Sequence, residues 1–246
     1  MKQTYGSRKL SVTVLLAGLA ALALRMALYA AAVDAKGLLL RWHPLEIALT
    51  ALTLTVLALL VPGVRKQEIP DGFETHFPAS LPGAFGSAAA GAGILVTVLA
   101  GSASGGSYLD TAWQLFGLAA PVCFLLAGLA RALGKKPFFL LHVVICLFFV
   151  LHIVIRYQLW SGNPQLQDYV FSLLGAMALM FFGFYNAARE AGCGNYPMQL
   201  AMGLAAVYFC LGELARSSSP ALYLGGLLWV LTEIYAGHKT GNNLKP

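Results

Sequence analysis

Long apolar stretches alternate with short basic runs down this chain, and the basic runs stand wherever every second stretch ends. They are Lys2, Arg8 and Lys9, then Arg65 and Lys66, then Arg131, Lys135 and Lys136, then Arg189, then Lys239 and Lys245. A helix needs about 20 apolar residues to cross the hydrocarbon of a bilayer, and eight segments of about that length can be drawn, at residues 10–33, 44–61, 84–104, 111–133, 138–159, 168–188, 197–215 and 219–236. Lys and Arg collect in the loops kept on the cytoplasmic side. With the N-terminus inside, eleven of the sixteen basic residues fall inside, Lys36, Arg41, Arg156 and Arg216 fall outside, and Arg25 lies within the first segment. The expectation is an all-α, polytopic transmembrane bundle of eight spans, residues 1–246 as one integral membrane domain, with both termini cytoplasmic.

Composition agrees. At 59% hydrophobic and 11% charged, with a mean hydropathy of +0.73, the chain has too little polar surface to coat a soluble particle. Its net charge of +6 does not indicate nucleic acid, because the basic residues mark segment ends and form no stripe with interleaved aromatics. Cys123, Cys146 and Cys210 fall in apolar segments and Cys193 in a short loop, without C-x-x-C spacing, so neither a disulfide nor a metal site is expected. The rival reading of the first segment is a cleaved signal peptide, with a basic start and small residues at Ala30 and Ala32. Arg25 interrupts its apolar core, and its loss would leave the other seven spans unchanged.

Two inner turns share a pattern: Ala130-Arg131-x-x-Gly134-x-x-Pro137 and Ala188-Arg189-x-x-Gly192-x-x-x-x-Pro197. Arg suits the negative end of a helix dipole, Gly the left-handed terminal position, and Pro the first turn of the next helix. The flanking helices show no further likeness, so shared capping explains the pattern better than an internal repeat. The longest loop, residues 64–83, carries Arg65, Lys66, Glu68, Asp71, Glu74 and His76 among Pro70, Gly72, Pro78 and Pro82. It reads as a connector, with docking of a partner as the alternative, and its Phe73 and Phe77 are expected at the lipid interface.

Ionisable side chains inside the spans are the informative ones, since each costs ~2.5–3.5 kcal/mol on insertion scales and needs a partner, a cavity or a route to the interface. Arg25, Glu46, His152, Arg156 and Glu213 are expected to share the outer half, with His152 and Arg156 four apart on one helix face. They could form a polar pocket open to the outside that takes a polar or zwitterionic solute. They could equally close into ion pairs such as Arg25 with Glu46 and Arg156 with Glu213, which tie helices together. The inner half offers His142, Tyr185, Asn186 and Glu233, a set that could relay protons or simply bond neighbouring helices. Span three is nearly free of large residues early on (Gly83, Gly86, Ala88, Ala89, Ala90, Gly91, Ala92, Gly93), which marks either a central helix or an oligomer seam. Pro121 is expected to kink span four.

Chemistry of other kinds is poorly provided for. No P-loop, zinc-protease or nucleophile-elbow motif occurs, and no nucleophile stands beside a base, so an enzyme, for instance one acting on lipid, ranks third. His142 and His152 lie about 15 Å apart along one helix at 1.5 Å per residue, too far to ligate one haem iron, and no span holds a Lys for a retinal Schiff base. No cofactor and no metal are expected.

The stretch Trp160-Ser161-Gly162-Asn163-Pro164-Gln165-Leu166-Gln167-Asp168-Tyr169, the helix end Ala187-Ala188-Arg189 and Tyr223-Leu224-Gly225-Gly226 resemble a group of uncharacterised bacterial multi-pass membrane proteins. The resemblance covers mainly the C-terminal half and implies class and length, without an activity. The reading that follows is a bacterial cytoplasmic (inner) membrane protein, surrounded by lipid, that binds or helps transport a small polar solute through Arg25, Glu46, His152, Arg156 and Glu213. The alternative is a non-enzymatic scaffold or accessory subunit that holds a membrane protein partner, or a second copy of itself, through span three.

Overall fold

The computed structural model describes residues 2–32, 43–65, 67, 73, 77–101, 108–161 and 169–243, with backbone alone at 2–8 and 237–243. Lys36, Arg41, Lys66, Glu68, Pro70, Asp71, Gly72, Glu74, His76, Ser102 to Ser104, Gly162 to Asp168 and Lys245 lie outside the described residues. The described residues form eight α-helices: α1 (Lys2–Ala31), α2 (Pro44–Arg65), α3 (Leu81–Gly101), α4 (Tyr108–Ala132), α5 (Phe139–Trp160), α6 (Val170–Ala191), α7 (Tyr196–Glu213) and α8 (Pro220–Asn243), with a 3₁₀ turn at Leu214–Arg216. No strand occurs among the described residues. Seven of these helices are long and apolar enough to cross a membrane, and α8 contributes an apolar stretch at Pro220–Ala236. The protein is an all-α, multi-pass membrane protein.

Helix ends follow the local chemistry. Gly134 (φ 65°) and Gly192 (φ 86°) take the left-handed conformation. After each, the next N–H reaches back over the helix end, Lys135 to the Ala130 carbonyl and Cys193 to the Ala188 carbonyl, both at 2.9 Å. Each turn is thus closed by a Schellman-type pair of bonds. Asn195 caps α7 by accepting from the Met198 N–H, with proline in the first turn. Three boundaries differ most from expectation. α1 is helical from Lys2, so Arg8 and Lys9 lie on its first turns, α2 continues through Pro62 to Arg65, and α8 runs on to Asn243.

Neighbouring helices pack in sequence from α3 to α8, and α3 packs in turn on α8, which closes six helices into a ring; α1 and α2 lie outside it against α7. Trp229 of α8 fills the middle. It is 1% exposed, with the Phe124 and Phe182 rings edge-on at 4.9 Å and the His142 ring stacked at 6.0 Å. Without a hydrophobic force between helices in lipid, close backbone approach and polar ties must hold them. Both are present. A Cβ on Gly93 would run into the Ala221 carbonyl oxygen of α8, and one on Gly225 would stand 2.6 Å from the Ala89 carbonyl oxygen of α3. Thr53 bonds Tyr208 at 2.8 Å between α2 and α7, and Ser172 bonds Tyr223 at 2.6 Å between α6 and α8. The small residues of α3 therefore serve contacts inside this chain, toward α8 on one side and Pro121 and Phe124 of α4 on another.

Candidate functional site

Because successive helices run antiparallel, the turns α4–α5 and α6–α7 lie at one end of the bundle, called here the basic end. The starts of α4 and α8 and the ends of α1, α5 and α7 lie at the far end. Each end holds a buried polar cluster.

At the basic end, Arg131 of α4 grips Glu233 of α8 with two parallel bonds: Nε donates to Oε1 at 3.1 Å and Nη2 to Oε2 at 2.6 Å. The fork geometry suits a planar guanidinium. Beside this pair, His142 Nδ1 of α5 lies 2.9 Å from Glu190 Oε2 of α6, and Gln199 of α7 donates to Asn186 Oδ1 at 2.8 Å. Arg189 is drawn in as well. Its Nε donates to the Phe73 carbonyl at 2.7 Å, and its guanidinium lies 4.5 Å and 4.7 Å from the centres of the Phe73 and Phe77 rings. Phe77 is consequently buried, at 8% exposure. For Phe77 the expectation of a lipid-interface position is thus corrected, since a cation needing cover holds its ring inside the bundle end, while Phe73 is half-buried. Of the inner candidates, His142, Asn186 and Glu233 meet in this cluster. Tyr185 is half-buried, with its ring edge-on to Phe184. Arg131, Arg189, Glu190 and Gln199 join the cluster although their sequence positions read as ordinary helix ends.

At the far end the five outer candidates divide. Arg25 of α1 and Glu213 of α7 close on each other, Nη1 donating to Oε2 at 2.9 Å with both side chains nearly fully buried. Arg25 also donates to the Gly212 carbonyl at 2.9 Å and the Tyr29 hydroxyl at 3.0 Å, and the Phe171 ring lies 4.7 Å from its guanidinium. Glu46 stands half-buried in the first turn of α2.

His152 and Arg156, one turn apart on α5, are placed differently. They line a cavity of about 230 Å³ with Trp113, Gln114 and Asp110 of α4 and Gly101 of α3. Arg156 donates to Ser219 Oγ at 2.8 Å, which fixes the guanidinium at the cavity edge. Two of the lining residues carry a ring nitrogen, Trp113 Nε1 and His152 Nδ1, that is buried without a hydrogen-bond partner among the described residues. The two rings lie 6.3 Å apart, backed by Phe148. Trp113, Gln114 and Asp110 were hidden in the sequence by their place at the start of α4, where polar and aromatic residues ordinarily mark the interface. The spacing of Asp110 and Gln114, four apart on one helix face, was the available signal.

Among the described residues no cluster of three or more His, Cys, Asp or Glu could hold a metal ion. No family model matches the chain, and neither the curated proteins nor the solved structures contain a match to it.

Proposed function

We propose that this protein is a small-solute-binding or transport component of a bacterial cytoplasmic membrane, akin to the multi-pass group its C-terminal half resembles, with its basic end in the cytoplasm and the far-end cavity as its binding site. The observation that carries this reading is one cavity lined by Trp113 and His152, each of which holds a buried ring nitrogen, Nε1 and Nδ1, without a partner among the described residues. Buried polar groups are nearly always satisfied, and leaving one unmade costs ~1–3 kcal/mol. An indole N–H can only donate, so the missing partner carries an acceptor. Arg156 adds a cation and Asp110 a carboxylate at the same cavity, which suits a small zwitterion or a carboxylate bearing a second polar group. The volume lies below the ~300–1,000 Å³ of drug-sized pockets, which favours a solute of amino-acid size.

Two observations reshape the solute reading. Arg25 and Glu213 leave the binding set, because each already satisfies the other, and Glu46 gives way to Trp113, Gln114 and Asp110. A scaffold role resting on the small residues of α3 has less support, since Gly93 faces α8 and Gly91 faces α4 within the chain.

A thermal-stability panel tests the proposal. Purified protein is heated with glycine, alanine, proline, betaine and short mono- and dicarboxylates in turn. At least one probe should raise Tm, since a ligand at a hundred times its Kd contributes about 2.7 kcal/mol, and Arg156→Gln should abolish the shift while the ligand-free Tm stays near the parent value. A panel without any shift, or a shift that survives Arg156→Gln, would remove the cavity as the site.

A further inference from the structure

The basic-end cluster leaves two polar atoms without a hydrogen-bond partner among the described residues, and the residues that carry them line two separate voids. Arg131 Nη1 is the one arm of that guanidinium outside the fork with Glu233, and it has no hydrogen-bond partner among the described residues although Arg131 is only 6% exposed. The void beside it measures about 10 Å³ and is lined by Ser87, Asn186, His142, Glu190 and Glu233. Gln199 Oε1, on a residue 8% exposed, is likewise unpaired. Its void measures about 40 Å³ and is lined by Phe73, Arg189, Tyr196 and Glu233. Arg189 and Glu233 line both voids, so the two are separated by shared side chains.

The charges decide what can occupy them. Arg131 and Arg189 balance Glu190 and Glu233, so an added ion of either sign would face an uncompensated charge in low dielectric. A neutral occupant that both donates and accepts fits each void: it accepts from Arg131 Nη1 in one and donates to Gln199 Oε1 in the other. Buried water needs roughly 10–15 Å³ and two to four polar partners, which the smaller void just meets and the larger one exceeds. His142 ends the series, and its imidazole brings an exchangeable ring N–H to the bond with Glu190.

We propose that the basic end holds a two-part water site that links the His142–Glu190 pair to the aqueous phase beneath Phe73 and Tyr196, and that this pair is a proton-exchange site inside the bundle. The groups facing His142 are Glu190 and Arg189 from α6, Arg131 from α4 and Glu233 from α8, with Gln199 and Tyr196 of α7 on the water side. A proton passes from water in the outer void to the Glu233 carboxylate, which borders both voids, from there to water in the inner void and so to the imidazole–carboxylate hydrogen bond, one O–H or N–H bond breaking as the next forms. This stands independently of the far-end cavity and survives if that cavity binds nothing.

Exchange of the His142 ring proton with solvent provides the test. The full chain, labelled with ring-¹⁵N histidine and reconstituted in lipid, is transferred to deuterated water, and the His142 signal is assigned by its loss in His142→Gln. The native signal should exchange while the backbone amides of α5 remain protected. Gln199→Leu, which keeps the volume and removes the acceptor, should slow the exchange by roughly tenfold or more, with the backbone protection that marks an intact fold. A His142 proton that exchanges only as α5 unfolds, or at the native rate in Gln199→Leu, overturns the proposal. Should that variant fail to fold, an experimental density map of the native protein decides: water within hydrogen-bond reach of Arg131 Nη1 and Gln199 Oε1 supports it, and dry voids or a bound ion refute it.

Discussion

At the basic end two arginines and two glutamates from α4, α6 and α8 meet within one cluster, and the fork between Arg131 and Glu233 leaves a single guanidinium nitrogen spare. At the far end the same residue types part company: Arg25 and Glu213 close on each other, while His152 and Arg156 look into a cavity. The difference lies in what surrounds each charge. At the basic end the long side chains of Arg131 and Glu233 span from α4 to α8 and meet, whereas at the far end residues of α3, α4 and α5 line a cavity. Ion pairs of the first kind hold helices together in lipid, where burial itself contributes little to helix association. The second kind of site leaves two ring nitrogens without a partner among the described residues, a cost that the proposed solute would offset.

Removing Glu233 should have the largest effect. Glu233→Leu leaves the Arg131 guanidinium buried without its counter-charge, a loss of about 3–5 kcal/mol, to be read as a fall in unfolding free energy in mixed micelles. Adding Arg131→Leu should restore much of it, because the uncompensated charge is then gone. If the double variant is no better than the single, the pair contributes true attraction and the basic end is stabilised differently from this account.

Glu213→Leu should do less, about 2 kcal/mol. Arg25 would keep its bonds to the Gly212 carbonyl and the Tyr29 hydroxyl, along with the faces of Phe171 and Tyr29. Arg131 has no such reserve among the described residues, where both of its guanidinium hydrogen bonds go to Glu233. Equal losses from the two glutamate substitutions would erase the distinction between a singly and a multiply supported arginine.

How far the sequence reveals this arrangement depends on which dimension is asked for. Position along the chain is legible: the basic runs and apolar lengths place every helix to within a few residues, apart from the longer reach of α1, α2 and α8. The helix-end motif at Arg131 and Arg189 correctly predicts the left-handed Gly134 and Gly192. Rotation about each helix axis is not legible, because a span is apolar on its lipid face and on its protein face alike, and the amphipathic period that orients helices in water is absent. Arg131 and Arg189 could therefore read as snorkelling ends although both side chains turn inward. For the same reason Arg25 and Arg156 sit at similar heights in the sequence reading, yet one is locked to Glu213 and the other borders a cavity.

The smallest change should carry the opposite sign. His152 is 2% exposed, its Nδ1 has no partner among the described residues, and Phe148 and Trp113 already lie beside its ring. Replacing it by phenylalanine removes an unsatisfied nitrogen and keeps an aromatic of similar shape, so His152→Phe should stabilise the ligand-free protein by about 0.5–1 kcal/mol. The same substitution should weaken or abolish any solute-induced rise in Tm. Stability gained together with binding lost is what a site maintained for function requires. A destabilised His152→Phe would mean that the imidazole is already satisfied at the far end, and both ends of the bundle would then be closed structural clusters of one kind.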